Sequence, residues 1–203
     1  SDVDVIFRED LQEFYQTDLK DNYLGAVDVG IAFRPKIRQY VEYTLKLAPA
    51  KGYFYSGNLI FNAALIRQDG LVEKFKKLAM NKYTYQDMDV LNIACNGRIK
   101  ALSLAFCLSN YLLECIYKNR DSVLEYYSIE DVRHAIEKGI VHYNGTKPWN
   151  GWCYNQDLWW AYYRNSVVYN DSFIFEYYHK HVNAIDNWSL LKRIKHLLRY
   201  YRK

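Results

Sequence analysis

The chain has 203 residues, half of them hydrophobic, which suits one compact domain with a substantial core. The last twelve residues carry six basic residues and no acid, so the rest of the chain has 21 basic residues against 23 acidic ones. This nearly neutral body argues against nucleic-acid binding. No run approaches the roughly 18 apolar residues that span a bilayer, which argues against a transmembrane helix. No cysteine pair has the spacing of a zinc site. No signal peptide is evident, and the four cysteines read as reduced thiols of a cytoplasmic protein.

The hydrophobic periodicity predicts an α/β protein in which strands and helices mix along the chain. In chain order it predicts a strand at 3–7, a short helix at 10–15, a strand at 24–29, a helix at 38–47, a buried strand at 58–66, helices at 71–80, 87–94 and 129–138, a strand at 141–143, and a mostly helical remainder after residue 149. No linker divides the chain. We expect residues 1–155 to form the metal-binding and donor-sugar part of a catalytic domain, and residues 156–203 a helical C-terminal region.

Two carboxylates stand at the start of the chain, at Asp2 and Asp4. Side chains of an extended strand alternate, so both carboxylates lie on one side and could share a hard cation such as Mn²⁺ or Mg²⁺. Such a cation could bridge to a diphosphate and neutralise a leaving nucleotide. A bare D-x-D is weak evidence, and two surface acids placed by chance are the simpler reading of this motif alone.

A second motif follows the strand at 141–143 and begins at His142. A neutral imidazole can ligate a metal, Gly145 lets backbone N–H groups approach an anion closely, and Lys147 can neutralise phosphate. A lone histidine is more often structural, but the whole run at 142–149 is much less easily explained by chance.

Two further stretches are candidates for sugar contacts. Asp87 and Asp89 lie at a predicted helix start, where carboxylates are also good caps. The Ser56-Gly57 step precedes an apolar run and fits either close approach by a ligand or tight backbone packing.

Taken together and in order, these motifs resemble glycosyltransferase family 8, and most of all its bacterial lipopolysaccharide galactosyl- and glucosyltransferases. The resemblance covers nearly the whole chain. Its parts are the D-x-D at 2–4 with the following Val5, the segment 18–27, the stretch 53–67 that is similar to Y-F-N-S/A-G-x-x-x-x-N-x-x-x-x-R, the stretch 87–92 that is similar to D-Q-D-x-L-N, the H-x-x-G-x-x-K-P-W-like run at 142–149 and the aromatic residues 158–162.

The resemblance implies an A-type glycosyltransferase fold that lacks its N-terminal nucleotide-binding part. It implies retaining hexosyl transfer from a UDP-sugar, such as UDP-galactose or UDP-glucose, to an oligosaccharide or glycolipid acceptor. By this likeness Asp2, Asp4 and His142 would be the ligands of a Mn²⁺ or Mg²⁺ ion. The diphosphate would contact Gly145 and Lys147.

The donor sugar would lie against the stretches around residues 55 and 87. The resemblance implies that Asp87 holds the sugar hydroxyls near the reaction centre, with Tyr55, Ser56 and Gly57 also at the donor. Here the sequence departs from the family, because Met88 replaces the usual Gln and Tyr55 replaces the usual Asn. Methionine offers no oxygen to a developing oxocarbenium ion, so Met88 disfavours an enzyme nucleophile of the usual kind and favours front-side displacement.

The same departures support an alternative, namely a degenerate family member that binds a nucleotide-sugar or glycan without catalysis. The loop between Gly145 and Lys147 is also one residue shorter than in the family. A third reading, as the D-x-D-x-[TV] loop of haloacid-dehalogenase-like phosphatases, lacks the hydrophobic strand and downstream acidic pair that such a loop needs.

The C-terminal residues 188–203 combine an apolar stripe with many basic residues at helical spacing. This pattern is typical of an amphipathic helix that lies on an anionic membrane surface. A solvated helix packed on the body is the alternative. We therefore expect a cytoplasmic protein with peripheral contact at the inner face of the plasma membrane.

Overall fold

The computed structural model describes residues 1–200, and it describes their side chains except at 182–186, 196, 197, 199 and 200. The strands are β1 (Val5–Ile6), β2 (Leu24–Ala26), β3 (Ile60–Phe61), β4 (Ile99–Ala101), β5 (Leu108–Ser109) and β6 (Val141–His142). The helices are α1 (Gln12–Tyr15), α2 (Pro35–Gln39), α3 (Ala63–Gln68), α4 (Leu71–Ala79), α5 (Asp87–Ala94), α6 (Asn110–Lys118), α7 (Arg120–Leu124), α8 (Ile129–Lys138), α9 (Gln156–Arg164), α10 (Asp171–Asp186) and α11 (Leu190–Tyr200).

The described chain divides into two compact units, Ser1–Gly145 and the part from Thr146 onward. The first unit contains two three-stranded sheets. In one sheet β6 lies in the centre, antiparallel to β1 and parallel to β5. In the other sheet β2 lies in the centre, antiparallel to β3 and parallel to β4.

Several elements match the sequence pattern closely. The helices predicted at 87–94 and 129–138 have the predicted bounds, and the helix predicted at 71–80 ends one residue earlier. The helix predicted at 38–47 begins earlier, at Pro35, and continues after α2 as a turn of π-helix over Tyr40–Thr44. Proline favours a first helical position because its missing N–H would have no intrahelical partner there.

The predicted buried strand at 58–66 is wrong. Only Ile60–Phe61 pairs as a strand, and α3 begins at Ala63. The reason is Asn62, whose side-chain oxygen accepts the N–H of Leu65 at 3.1 Å and thereby caps a new helix. The apolar run therefore divides between two elements that periodicity alone could not separate.

Arg8 links β1 to the helix that leads into β6. Its guanidinium donates to the carbonyl oxygens of Ala135 (2.7 Å), Ile136 (2.9 Å) and Gly139 (2.6 Å) at the end of α8. The last carbonyls of a helix have no intrahelical donors, so a cationic fork is a good partner for them. This contact supports the pairing of β1 with β6, on which the candidate site depends.

The second unit is dominated by aromatic packing on α9 and α10. Trp160 is buried and its ring lies 4.7 Å from that of Tyr177 and 5.9 Å from that of Phe173, measured between centroids. Trp159 stacks on Tyr163 at 5.0 Å. The largely helical region predicted after residue 149 is thus observed as α9, α10 and α11. Among the described residues, no helix is both long and apolar enough to cross a membrane.

Candidate metal and donor site

Strand pairing brings the two ends of the first unit together. Val5 of β1 pairs with His142 of β6, and the N–H of Tyr143 donates to the carbonyl of Asp4 at 2.9 Å. The D-x-D therefore leads directly into a strand whose neighbour carries the histidine. Residues about 140 positions apart in sequence become neighbours because β6 is the central strand of the sheet.

Asp2, Asp4 and His142 form one cluster, and their ligand atoms all lie within 4.8 Å of one another. The Nε2 atom of His142 lies 3.4 Å from Asp2 Oδ2 and 3.4 Å from Asp4 Oδ1. Ligand atoms that share an ion at about 2.1 Å are separated by about 3.0–3.5 Å in octahedral or tetrahedral geometry. Asp4 and His142 are buried, whereas Asp2 is exposed, so the cluster opens to solvent on one side.

The donor set suits a divalent cation of the manganese or magnesium type. Two carboxylate oxygens are hard ligands, and an imidazole nitrogen is a common ligand of divalent transition metals. The three residues therefore fit a divalent cation, as the family resemblance implies, and the exposed side leaves room for oxygen ligands from a substrate.

The other ring nitrogen of His142 faces a thiol. Nδ1 lies 3.6 Å from the Sγ atom of Cys107, which is fully buried. Burial raises the pKa of the Cys107 thiol to about 12, with smaller contributions from the charges of Asp2 and Asp4. The thiol is thus neutral at physiological pH, as suits a weak partner for the second imidazole nitrogen.

The stretch 55–57 lies beside this cluster. Gly57 is buried, and its carbonyl accepts the N–H of Asp2 at 2.8 Å. Ser56 is half-buried. Tyr55 is buried, and its hydroxyl oxygen accepts hydrogen bonds from Ser109 Oγ (2.8 Å) and Arg34 Nη1 (3.2 Å). Burial also raises the pKa of Tyr55, so it stays a neutral phenol.

The start of α5 separates the two acids that the sequence singled out. Asp87 is exposed, while Asp89 is fully buried. The Asp89 carboxylate accepts hydrogen bonds from the hydroxyls of Tyr53 and Tyr40 and from the N–H of Tyr85. Burial and this carboxylate together raise the pKa of Tyr53 well above its usual range. Asp89 thus organises the segment that presents Asp87.

The residues on either side of Asp87 have distinct environments. Met88 is half-buried and packs against the main hydrophobic core. Gln86 has φ 48° and ψ −115°, a conformation that residues with a side chain rarely adopt. Such local strain persists where surrounding contacts enforce it, and it is common beside functional residues.

Gly145 and Lys147 fall in different units. Gly145 has φ +87°, and a side chain there would be strained whatever space it found. Lys147 is half-buried in the second unit, where its carbonyl accepts the N–H groups of Asn150 (2.9 Å) and Gly151 (3.1 Å). The roles of both residues toward a diphosphate stay predictions, as do those of Tyr55, Ser56, Asp87 and Met88 toward a sugar.

No sequence signal marks three residues that support the site: Cys107, which contacts His142, Arg34, which contacts Tyr55, and Arg8, which binds the end of α8. Each acts through a partner more than 20 positions away, and a lone cysteine or arginine carries no motif.

The fold and the site together define the class of protein. The chain has the A-type glycosyltransferase fold, since it superposes on the bifunctional glycosyltransferase WbbM with a TM-score of 0.68 and 19% identity over 87% of this chain and 33% of that chain. It also superposes on the galactosyltransferase LgtC, solved with donor and acceptor sugar analogs, with a TM-score of 0.62 and 21% identity over 85% of this chain and 62% of that chain. The predicted fold class is confirmed.

Sequence similarity gives the family. The family model described as "Glycosyl transferase family 8" matches residues 1–153, and the chain belongs to this family. The glycosyltransferase GlyB of Streptococcus pneumoniae serotype 4 is 25% identical over 172 residues, which cover 79% of this chain and 37% of GlyB. The chain spans about a third of the length of the curated relatives it matches.

Proposed function

We propose that this chain provides the metal and donor-sugar site of a retaining hexosyltransferase that uses a UDP-sugar. The observation that carries the proposal is the assembly of Asp2, Asp4 and His142, with ligand atoms within 4.8 Å of one another, by the pairing of β1 with β6. In the proposed site these three residues hold Mn²⁺, or Mg²⁺ in its place. The ion would neutralise the charge that develops on the leaving UDP.

The remaining residues have roles in binding and orientation. Lys147 and the backbone of Gly145 would contact the diphosphate, because an ammonium and free N–H groups stabilise phosphate charge. Asp87 would accept hydrogen bonds from the hydroxyls of the donor sugar, for which its exposed position leaves it accessible. Ser56 and Gly57 would border the donor sugar beside the metal ligands.

Retention by front-side displacement fits the side chains near Asp87. Met88 packs against the core and offers no oxygen, so it cannot form a glycosyl–enzyme ester. The hydroxyl of Tyr55 is already held by Arg34 and Ser109. With no enzyme nucleophile at these positions, the departing phosphate itself would accept the proton of the incoming acceptor hydroxyl.

Two observations support the proposed substrate class: membership of the family, and the fold shared with LgtC, whose structure contains donor and acceptor sugar analogs. We propose UDP-galactose or UDP-glucose as donor and an oligosaccharide or glycolipid of a bacterial surface polysaccharide, such as lipopolysaccharide or capsule, as acceptor. The reaction would take place in the cytoplasm.

An assay of the protein with UDP-galactose and UDP-glucose tests this function. We expect release of UDP that requires Mn²⁺, stops with a chelator and resumes when Mn²⁺ is restored, because the cation stabilises the leaving group. UDP would be quantified by chromatography, with and without a mixed oligosaccharide acceptor. Absence of turnover with several UDP-hexoses, despite measurable UDP binding, would contradict the enzyme assignment.

A second candidate is a non-catalytic family member that binds a nucleotide-sugar or glycan. The specific observation in its favour is that Met88 and Tyr55, which replace two amides of the family, both turn toward the protein interior. The metal cluster would then serve binding alone. The same assay separates the two candidates, since only the first releases UDP.

We further propose peripheral membrane contact through residues 188–203, which would bring the site to lipid-linked acceptors. Within this segment Leu190, Leu191 and Leu198 are exposed, and Lys192 lies 4.7 Å above the ring of Trp188. Exposed leucines next to lysines suit the interface of an anionic bilayer. Arg199 lies where side chains are not described, and residues 201–203 lie outside the described residues, so the full basic stripe stays a prediction from sequence.

Vesicle flotation tests this contact. The protein is expected to float with vesicles rich in phosphatidylglycerol and not with neutral phosphatidylcholine vesicles. Leu191→Glu should abolish flotation, because it places a negative charge on the apolar face. Val72→Glu, an equally drastic change at an exposed apolar residue of α4, is the control and should float normally. Equal flotation of both variants would refute membrane contact through the C-terminal segment.

A further inference from the structure

Gly57 contacts two of the candidate metal ligands, Asp2 and His142. Its carbonyl accepts the N–H of Asp2 at 2.8 Å, and its Cα faces the imidazole of His142. A Cβ built on Gly57 would lie 2.2 Å from Cε1, 2.5 Å from Nδ1 and 3.0 Å from Nε2 of that ring. Contacts below about 3 Å lie far inside van der Waals separation, so only glycine leaves room for the ring at this position.

The loop that carries Gly57 cannot easily move away from the ring. The side chain of the next residue, Asn58, is buried and donates to the carbonyl of Phe106 at 2.6 Å. The hydrogen bond from Asp2 holds the other side of Gly57. Moving the loop would break both bonds, and a buried amide left without a partner costs about 1–3 kcal/mol.

The backbone of His142 is equally fixed. β6 is the central strand of its sheet, so His142 pairs with Val5 on one side and with Ser109 on the other. Behind the ring, the Sγ atom of Cys107 lies 3.6 Å from Nδ1. The ring thus lies between the Gly57 backbone and the Cys107 thiol, with Nε2 turned toward Asp2 and Asp4.

We propose that Gly57 is a positioning residue for the metal site: it sets the orientation of the His142 imidazole and, through its carbonyl, the place of Asp2. This role differs from contact with the donor sugar, because it acts on the metal ligands before any substrate binds. It rests on the proposed function only in that the cluster binds a metal. The Cys107 thiol contacts the Nδ1 side of the imidazole and helps to fix the same ring orientation.

The test compares Gly57→Ala with a glycine whose Cβ would be tolerated. Gly151→Ala is that control, because a Cβ there would meet only the methyl carbon of Thr146, at 3.4 Å. In metal-free protein, the imidazole Cε1–H signal of His142, assigned by its loss in His142→Ala, is recorded by NMR. We expect this signal to shift in Gly57→Ala and to stay unchanged in Gly151→Ala. An unchanged signal in Gly57→Ala would overturn the inference.

Binding of Mn²⁺ alone, followed by electron paramagnetic resonance without nucleotide, gives the functional readout. Displacement of residues that orient a metal ligand typically weakens affinity about 10–100-fold, and we expect a loss of this size in Gly57→Ala. In the His142→Ala background, Gly57→Ala should cause no further loss, since the ring that the new methyl group would displace is gone and alanine keeps the carbonyl that accepts the Asp2 N–H. A full additional loss in that background would show that Gly57 acts by another route, and the inference would be wrong.

Two outcomes keep this test separate from the proposed function. If the unaltered protein binds no Mn²⁺, the metal assignment fails, but the NMR signal of the metal-free protein still decides the role of Gly57. If Gly57→Ala folds poorly, the double variant with His142→Ala should regain stability, because the clashing ring is removed. Failure of the double variant to recover would overturn the inference.

Discussion

His142→Ala is expected to lower Mn²⁺-dependent UDP binding by at least about 100-fold, since loss of a direct ligand should exceed the 10–100-fold effects seen for residues that only orient ligands. The variant removes one of three atoms in a cluster whose other members are carboxylates, so the remaining pair repels itself without the ion. Asp4→Asn should act in the same direction, because it keeps the side-chain shape and removes the charge. Calorimetric titration with UDP, with and without Mn²⁺, measures both variants.

A matched control exists elsewhere in the same unit. His134 is also paired with a carboxylate, since its Nε2 lies 2.9 Å from Glu9 Oε2, but it lies in no three-residue cluster of metal-binding type within the described residues. His134→Ala should leave Mn²⁺-dependent UDP binding unchanged. Unaltered binding in both His142→Ala and Asp4→Asn would refute the metal assignment, whatever the control does.

The cluster of Asp2, Asp4 and His142 could be predicted from the sequence only through the order of several motifs. The spacing of Asp2 and Asp4 follows from strand alternation, but nothing local indicates that His142 is their partner. The pairing of β1 with β6 that joins them is a long-range contact, and such contacts leave no periodic signal in a single sequence. The resemblance to the family supplied what periodicity could not.

Other details could not be predicted from the sequence, for local physical reasons. The sequence treats Asp87 and Asp89 alike, as acids two positions apart at a helix start. The 3.6-residue period turns the second one inward, and the two tyrosine hydroxyls that compensate its burial come from distant segments, at Tyr40 and Tyr53. The predicted strand at 58–66 failed because capping by Asn62 outweighed apolar continuity. The sequence around Gly57 fits a ligand contact and tight packing equally well, and only the three-dimensional structure places it against the ring of His142.

Those two acids of α5 therefore make a paired experiment. Asp89→Ala is expected to destabilise the protein by about 3–5 kcal/mol, because it leaves the buried Tyr53 hydroxyl without its acceptor, removes the acceptor of the partly exposed Tyr85 N–H and adds a cavity. Asp87→Ala removes an exposed carboxylate from the same helix turn and should cost no more than about 1 kcal/mol, chiefly through the helix dipole. Urea denaturation followed by circular dichroism gives both values.

The loss of hexosyl-transfer activity should show the opposite order, with the larger loss in Asp87→Ala. Under conditions where both variants are folded, Asp87→Ala should lose most hexosyl transfer, because it removes the predicted sugar ligand. Asp89→Ala should lose less activity than Asp87→Ala. Its loss of activity has a structural cause: the Asp89 carboxylate holds the N–H of Tyr85, so its removal lets the strained backbone of the next residue, Gln86, relax. A stable, fully active Asp89→Ala variant would show that the Asp89–tyrosine network neither holds the fold nor shapes the segment that presents Asp87.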